Sequence, residues 1–145
     1  MYFVDRNKIE RHLLYMEGIL QQFEQEEFTT WQEKMALERI TQMIIESMID
    51  VGNLMIDGFI MRDPGSYEDI IDILVDEKVL PEEESNQYKE VFQLRVVLVR
   101  DYLNISHDNL IHVLKNNFTS LEKFSERVRD YLNNELGVYT AFKPE

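Results

Sequence analysis

Hydrophobic residues in the N-terminal part of the chain recur at steps of three and four. This spacing places them along one face of an α-helix, because an α-helix turns once every 3.6 residues. The pattern predicts two amphipathic helices, of which the second is the longest in the protein and runs to about Phe59. The two apolar series are Ile9, Leu13, Met16, Leu20 and Phe23, and then Leu37, Ile40, Ile44, Met48, Val51 and Met55.

Residues that favour helix ends divide the rest of the chain into further helices. Thr29 and Thr30 each stand three residues before a Gln or Glu, which gives two overlapping capping boxes at the start of the second helix. Residues 61–65 contain a Pro-Gly pair that should end this helix. Later helices are predicted to begin at Ser66, at Pro81, at Ser106 and near Thr119 or Ser120.

The composition agrees with an all-α fold. Five Gly and three Pro among 145 residues are too few for the many tight turns of an all-β domain. Hydrophobic residues make up 44% of the chain, which is enough to build a core. No repeat or linker interrupts the pattern. We therefore expect a single domain over residues 1–145, an antiparallel bundle of four main helices plus one or two short helices.

The charge is strongly acidic and unevenly spread. The net charge is −13, and residues 46–90 hold 13 acidic and 3 basic residues, whereas residues 91–145 hold 7 of each. An overall field of this sign disfavours nucleic-acid binding and anionic membranes, although a local site in the neutral last third remains open. The acids at 82–84 and 76–77 are interpreted as a solvated face, with docking of a basic partner as the alternative.

Several classes of site are excluded by composition. The chain has no Cys, so disulfides, thiol catalysis and Cys-based metal sites are absent. Its three histidines are His12, His107 and His112, and no Glu stands three residues before any of them, as a carboxylate-bridged di-metal bundle would need. No metal site and no cofactor are predicted. The start lacks the apolar region of a signal peptide and no apolar run could span a bilayer, so we expect a cytoplasmic protein without membrane contact.

The segment 92–104 is the most informative part of the sequence. Arg95 lies among almost entirely apolar neighbours on a predicted helix that begins at Pro81 and ends near Leu103. A guanidinium in such surroundings either reaches solvent along its stem, pairs with an acid or points into a functional groove. Tyr102 stands seven residues further on, so the two side chains should lie on the same side of that helix, two turns apart.

At this segment the chain resembles the HepT-like branch of the HEPN superfamily, which comprises small all-helical proteins, many of them toxins that cleave RNA without metal. The resemblance covers nearly the whole chain. It rests on the order and spacing of ALER at 36–39, DVGN at 50–53, SY at 66–67, IL at 73–74, VLP at 79–81, FQLR at 92–95 and DY at 101–102.

The family's catalytic pattern implies specific roles for residues of this chain. The pattern is an Arg, usually followed by Asn, and then a His, one residue and a Tyr. Arg95 matches the Arg and Tyr102 the Tyr, but Val96 stands at the Asn and Arg100 at the His. The family's His is taken to transfer a proton during attack by an RNA 2′-hydroxyl, which an always-protonated arginine cannot do. Arginine can still bind phosphate.

The resemblance also implies partners. Family members form homodimers in which the motif helices meet, so two copies of Arg95 and Arg100 would form a basic patch that could bind RNA. A partner nucleotidyltransferase antitoxin (MntA-type) attaches AMP to the motif tyrosine, which is Tyr102 here. The broader HEPN pattern allows four to six residues between Arg and His, and six residues separate Arg100 from His107. His107 is therefore a further catalytic candidate, although the family's own register does not place the His there.

Three hypotheses about function follow. The first is a dimeric HepT-like protein with impaired nuclease activity that binds RNA or a partner. The second is an active, metal-independent endoribonuclease toxin that uses Arg95, Arg100, Tyr102 and His107 and is inhibited by AMP attachment at Tyr102. The third is a scaffold that docks a nucleotidyltransferase through its acidic middle third and binds no RNA.

Overall fold

The computed structural model describes residues 2–137 of the chain as a bundle of α-helices. As expected, the four long helices are accompanied by two short ones, and the described residues contain no β-strand. The helices are α1 (Arg6–Gln25), α2 (Trp31–Gly58), α3 (Tyr67–Asp76), α4 (Ser85–Val99), α5 (His107–Asn116) and α6 (Phe118–Leu136).

Local capping explains where three of these helices begin. The Thr30 side chain accepts a hydrogen bond from Glu33 N, and the Glu33 carboxylate accepts one from Thr30 N, so the second of the two predicted capping boxes is the one that forms. Ser66 caps α3 and Ser106 caps α5 through their hydroxyl oxygens, as predicted. Helix α6 begins at Phe118, slightly earlier than the sequence indicated.

Two predictions at the ends of α4 were wrong. Pro81 is followed by a short 3₁₀ turn, Glu82–Glu84, and the α-helix starts only at Ser85. At the other end α4 stops at Val99 instead of continuing to Leu103. The Asp101 amide bonds to the carbonyl of Val96, five residues back, which widens and ends the helix after a run of β-branched valines. Tyr102–Asn104 then forms a separate 3₁₀ turn.

Helix α2 is the centre of the core and packs against α1, α3, α4 and α5. Five of the six residues of its predicted apolar series are buried, and Ile40 is half-buried. The whole predicted apolar series of α1 is buried. Gly52 of α2 faces α3 where the two helices approach closely: a Cβ at this position would collide with Cγ2 of Ile70. The glycine therefore sets the spacing between α2 and α3.

Ion pairs connect α6 to the rest of the bundle. The Arg129 guanidinium bridges Glu10 and Glu17 of α1 with nitrogen–oxygen distances of 2.7–2.9 Å. Arg127 pairs with Glu84 at 2.7 Å, and Glu84 is buried. The interpretation of residues 82–84 as a solvated acidic face is thus wrong for Glu84, whose carboxylate also accepts a hydrogen bond from the buried Tyr88 hydroxyl. Within the described part of the chain, no helix is both long and apolar enough to cross a membrane.

Candidate functional site

Arg95 projects from α4 towards α2 and α3. Its Nε donates a hydrogen bond of 2.7 Å to Oε1 of Glu46 in α2. Its Cζ lies over the ring of Tyr67, the first residue of α3, at 4.5 Å from the ring centroid. Of the three sequence interpretations, pairing with an acid is therefore the one that the structure shows directly.

These contacts orient the guanidinium and keep it charged. The hydrogen bond to Glu46 raises the pKa of Arg95 above its ordinary value, which outweighs the opposing effect of burial. Both side chains of the pair are only about a quarter exposed, at 28% and 27%. Among residues 2–137 the two terminal guanidinium nitrogens of Arg95 have no hydrogen-bond partner, so they can donate to a ligand.

Arg95 and Arg100 line the same groove. This motif groove lies between the start of α3 and the C-terminal half of α4, with a volume of about 350 Å³. Tyr67, Glu68 and Arg95 line one part of it, and the exposed apolar side chains of Val96 and Val99 lie beside them. The structure thus brings together the two arginines that the sequence analysis selected, and a groove with two guanidinium groups suits a phosphate.

Arg100 occupies the C-cap position of α4 and is exposed. No ion pair or side-chain hydrogen bond engages it within the described residues. It also stands where cations interact favourably with the negative end of the helix dipole. Its charge is therefore available at the mouth of the motif groove.

Tyr102 is not placed as the sequence predicted. Because α4 ends at Val99, Tyr102 lies on the following 3₁₀ turn and not two helical turns above Arg95. It does not line the motif groove, and it is 64% exposed. Its ring and hydroxyl are accessible from outside the bundle.

His107 lies in the first turn of α5 and faces α2. Its Nε2 is 2.7 Å from Oε2 of Glu38, and both side chains are about one-fifth exposed. It does not line the motif groove with Arg95 and Arg100. His12 and His112 also make local contacts, to the carbonyl of Lys8 and to Asn116. In the described part of the chain, no three potential ligands converge in a way that could hold a metal ion.

Sequence reasoning missed the residues that hold Arg95. Glu46 is an acid among the apolar residues of α2, and Arg95 is a base among the apolar residues of α4. This shared feature could have indicated that the two residues form a pair. Tyr67 carried no such signal, because its contact with Arg95 depends on how α3 packs beside α4. Nothing in the sequence pattern indicated Glu38 as the partner of His107 either.

Comparison with known proteins agrees with this architecture. The HepT-like ribonuclease family model matches residues 9–128. The Bacillus subtilis (strain 168) protein named "Putative RNase YutE" is 49% identical over 146 residues, which cover 99% of this chain and 100% of that protein. The solved structure of YutE, described as a cytosolic protein, has a TM-score of 0.94 and 48% identity, covering 98% of this chain and 100% of that one.

A more distant solved structure has the same fold. It is a tri-AMPylated HEPN toxin from Shewanella oneidensis in complex with an MNT antitoxin, with a TM-score of 0.64 and 21% identity over 84% of this chain and 91% of that chain. This chain therefore shares its all-α fold with a HEPN toxin. This chain belongs to the HepT-like ribonuclease family.

Proposed function

We propose that this protein acts as a dimeric RNA- or partner-binding member of its family in which nuclease activity is impaired. The observation that carries the proposal is the pair of arginines in the motif groove, with Arg100 at the position where the family pattern has histidine. Binding of a phosphodiester is retained, whereas proton transfer at that position is lost.

The chemistry of RNA cleavage supports this distinction. The 2′-hydroxyl attacks the adjacent phosphorus, the bond from phosphorus to the 5′-oxygen breaks, and a proton must leave the first oxygen and reach the second. A group that titrates near neutral pH performs these transfers efficiently, and arginine remains protonated throughout. Arg95 and Arg100 can each donate hydrogen bonds to the phosphate but cannot accept the proton.

The other groups near the groove offer limited replacements. No histidine is among the described residues that line it, and His107 is engaged with Glu38. Glu68 is the acid in this lining, and its carboxylate accepts a hydrogen bond of 3.3 Å from Gln93. A carboxylate is a weaker base than imidazole at neutral pH, so residual cleavage through Glu68 would be slow.

Exposed apolar residues support dimerisation through the motif. Val96, Val99, Tyr102 and Leu103 are all exposed, from 40% for Val99 to 89% for Leu103. Contiguous exposed apolar residues mark interaction sites in soluble proteins. A second copy on this face would cover them and would bring four arginines together, which makes a local basic site on an acidic protein.

Tyr102 is the proposed site of nucleotide attachment by a nucleotidyltransferase partner. Its exposed hydroxyl could attack the α-phosphorus of ATP, forming a bond from Oη to phosphorus while pyrophosphate leaves and the phenolic proton passes to the partner's base. The HEPN toxin of the Shewanella oneidensis complex is described as tri-AMPylated and bound to an MNT antitoxin, which supports a partner of this kind.

An active ribonuclease is the second candidate, because a relative that shares about half of its residues with this chain carries the name of an RNase. The deciding experiment is cleavage of transfer RNA and of a single-stranded RNA, in the presence of a chelator, by wild type, Arg100→His and Arg95→Ala. We expect cleavage only by Arg100→His. Cleavage by wild type that Arg95→Ala abolishes would refute the proposal and establish the second candidate.

RNA binding must be measured in parallel, because a scaffold that does not bind RNA would also show no cleavage. We expect wild type and Arg100→His to bind RNA and Arg95→Ala to bind it more weakly. If all three proteins bind RNA equally weakly, RNA binding is excluded and a protein-docking role is favoured.

A further inference from the structure

A second groove is lined by Glu46, the partner of Arg95. It runs between the N-terminal half of α1 and the middle of α2, with a volume of about 810 Å³, and Glu46 is part of its wall. Glu46 lines this α1–α2 groove and Arg95 lines the motif groove, so their 2.7 Å hydrogen bond joins the walls of the two grooves. A ligand bound at Arg95 could therefore extend into both.

The α1 wall of this groove carries two cations and an aromatic ring in a regular series. Lys8, Arg11 and Tyr15 follow at spacings of three and four, which places them on one helical face over a rise of about 10 Å. All three side chains are exposed, Tyr15 at 51%. Unpaired cations beside an exposed ring are the elements with which proteins hold single-stranded nucleic acid.

The groove also contains three carboxylates, and two of them have hydrogen-bond partners in the protein. Asp5 accepts a hydrogen bond from Lys8 N, and Glu46 pairs with Arg95. The third, Asp50, is exposed and lies 3.8 Å from Nε2 of His12, which is too far for a hydrogen bond. By contrast, the Lys8 ammonium and the Arg11 guanidinium have no ion-pair or hydrogen-bond partner in residues 2–137.

We propose that the α1–α2 groove is a second subsite for single-stranded RNA, adjoining the phosphate site at Arg95. Lys8 and Arg11 bind backbone phosphates of the flanking nucleotides, and Tyr15 stacks on a base. The subsite rests on the proposed RNA binding at the motif groove. It makes the affinity depend on the length of the RNA, because a dinucleotide can fill only one groove.

The test is binding of a fluorescein-labelled 2′-O-methyl decauridylate, which cannot be cleaved through its 2′ position, measured by fluorescence anisotropy at low salt. The variants are Lys8→Ala/Arg11→Ala, Tyr15→Ala and Tyr15→Phe. Lys115→Ala/Lys123→Ala is the matched control, because it removes the same charge from exposed positions on α5 and α6. Unlabelled UpU serves as a competitor that is too short to reach the second groove.

We expect Tyr15→Ala to weaken decauridylate binding about tenfold, as the loss of one stacked base does, and Tyr15→Phe to retain it. The Lys8→Ala/Arg11→Ala variant should reduce the salt slope of log Kd by about 1.4, since two phosphate contacts are lost. Competition by UpU should be the same in every groove variant, and the control should bind like wild type.

Three outcomes would overturn the subsite. Wild-type affinity in the Lys8, Arg11 and Tyr15 variants, together with a loss in Arg95→Ala, refutes the second groove and leaves the proposed function intact. An equal loss in the Lys115/Lys123 control shows that overall charge, and not this groove, is what matters. No binding by wild type refutes both the subsite and RNA binding at the motif groove.

Discussion

The ion pair that orients Arg95 allows a quantitative prediction. Glu46→Gln keeps the shape of the side chain and removes its charge, so Arg95 loses the anion that its Nε contacts at 2.7 Å. Two unit charges about 4 Å apart attract by about 4 kcal/mol at an effective dielectric constant of about 20. Desolvation and the ordering of two long side chains offset much of this attraction.

The net contribution of the pair should therefore be about 1–2 kcal/mol, the range expected for a hydrogen bond to a charged group at a partly buried site. In a chain of this length, a loss of that size lowers Tm by about 3–6 °C. Arg95→Met should have a similar cost, and it also removes the contact with the Tyr67 ring.

A double-mutant cycle isolates the pair. Chemical denaturation of wild type, Glu46→Gln, Arg95→Met and the double variant gives a coupling energy, which we expect to be about 1–2 kcal/mol. A coupling below about 0.5 kcal/mol would refute the reasoning, because it would mean that Glu46 does not hold the guanidinium in solution. Arg95 would then reach the motif groove without being oriented by α2.

Two further predictions concern stability. Gly52→Ala should destabilise the protein by about 1–3 kcal/mol, because the new Cβ collides with Ile70. Gly18 lies in open space within a helix, so Gly18→Ala should stabilise the protein by about 0.5–1 kcal/mol. Equal shifts in Tm for the two variants would contradict this prediction. Hydrogen bonds, foremost from Thr30 N, lower the pKa of Glu33 to about 2. Its stabilising effect should be full above pH 4.5 and vanish as pH falls towards 2, so denaturation of wild type and Glu33→Gln should converge in acid.

The starts of α2, α3 and α5 were predictable because each depends on a few neighbouring residues. The hydroxyl of Ser66 and the amide of Asp69 are three residues apart, and so are Thr30 and Glu33. No folding of distant segments is needed to form these caps, so the sequence alone contains the relevant interaction.

The end of α4 could not be predicted in the same way. The apolar spacing continues through Leu98 to Tyr102, and by periodicity alone the helix should continue as well. The bundle, however, offers no surface to cover that turn, and Leu103 is 89% exposed. Without burial to stabilise it, the segment leaves the helix, and the sequence pattern does not contain that information.

The candidate site shows the same limit. The family pattern identified Arg95 and Arg100, and the structure places both in one groove. The partners of Arg95 stand 49 and 28 residues earlier in the chain, on two other helices. No local rule connects positions that far apart, so Glu46 and Tyr67 could be recognised only after the helices were packed.

Because Arg100 lies at the exposed end of α4, the identity of this residue has little influence on the stability of the fold. A buried core residue that changes shape disturbs its neighbours, whereas Arg100 is exposed and touches solvent at a helix end that suits arginine and histidine alike. Under the proposed function, a permanent cation replaces a proton-transfer group at this exposed position with little cost in folding. Two proteins with nearly the same backbone can therefore differ in the chemistry of one exposed position, so overall similarity is a poor guide to activity.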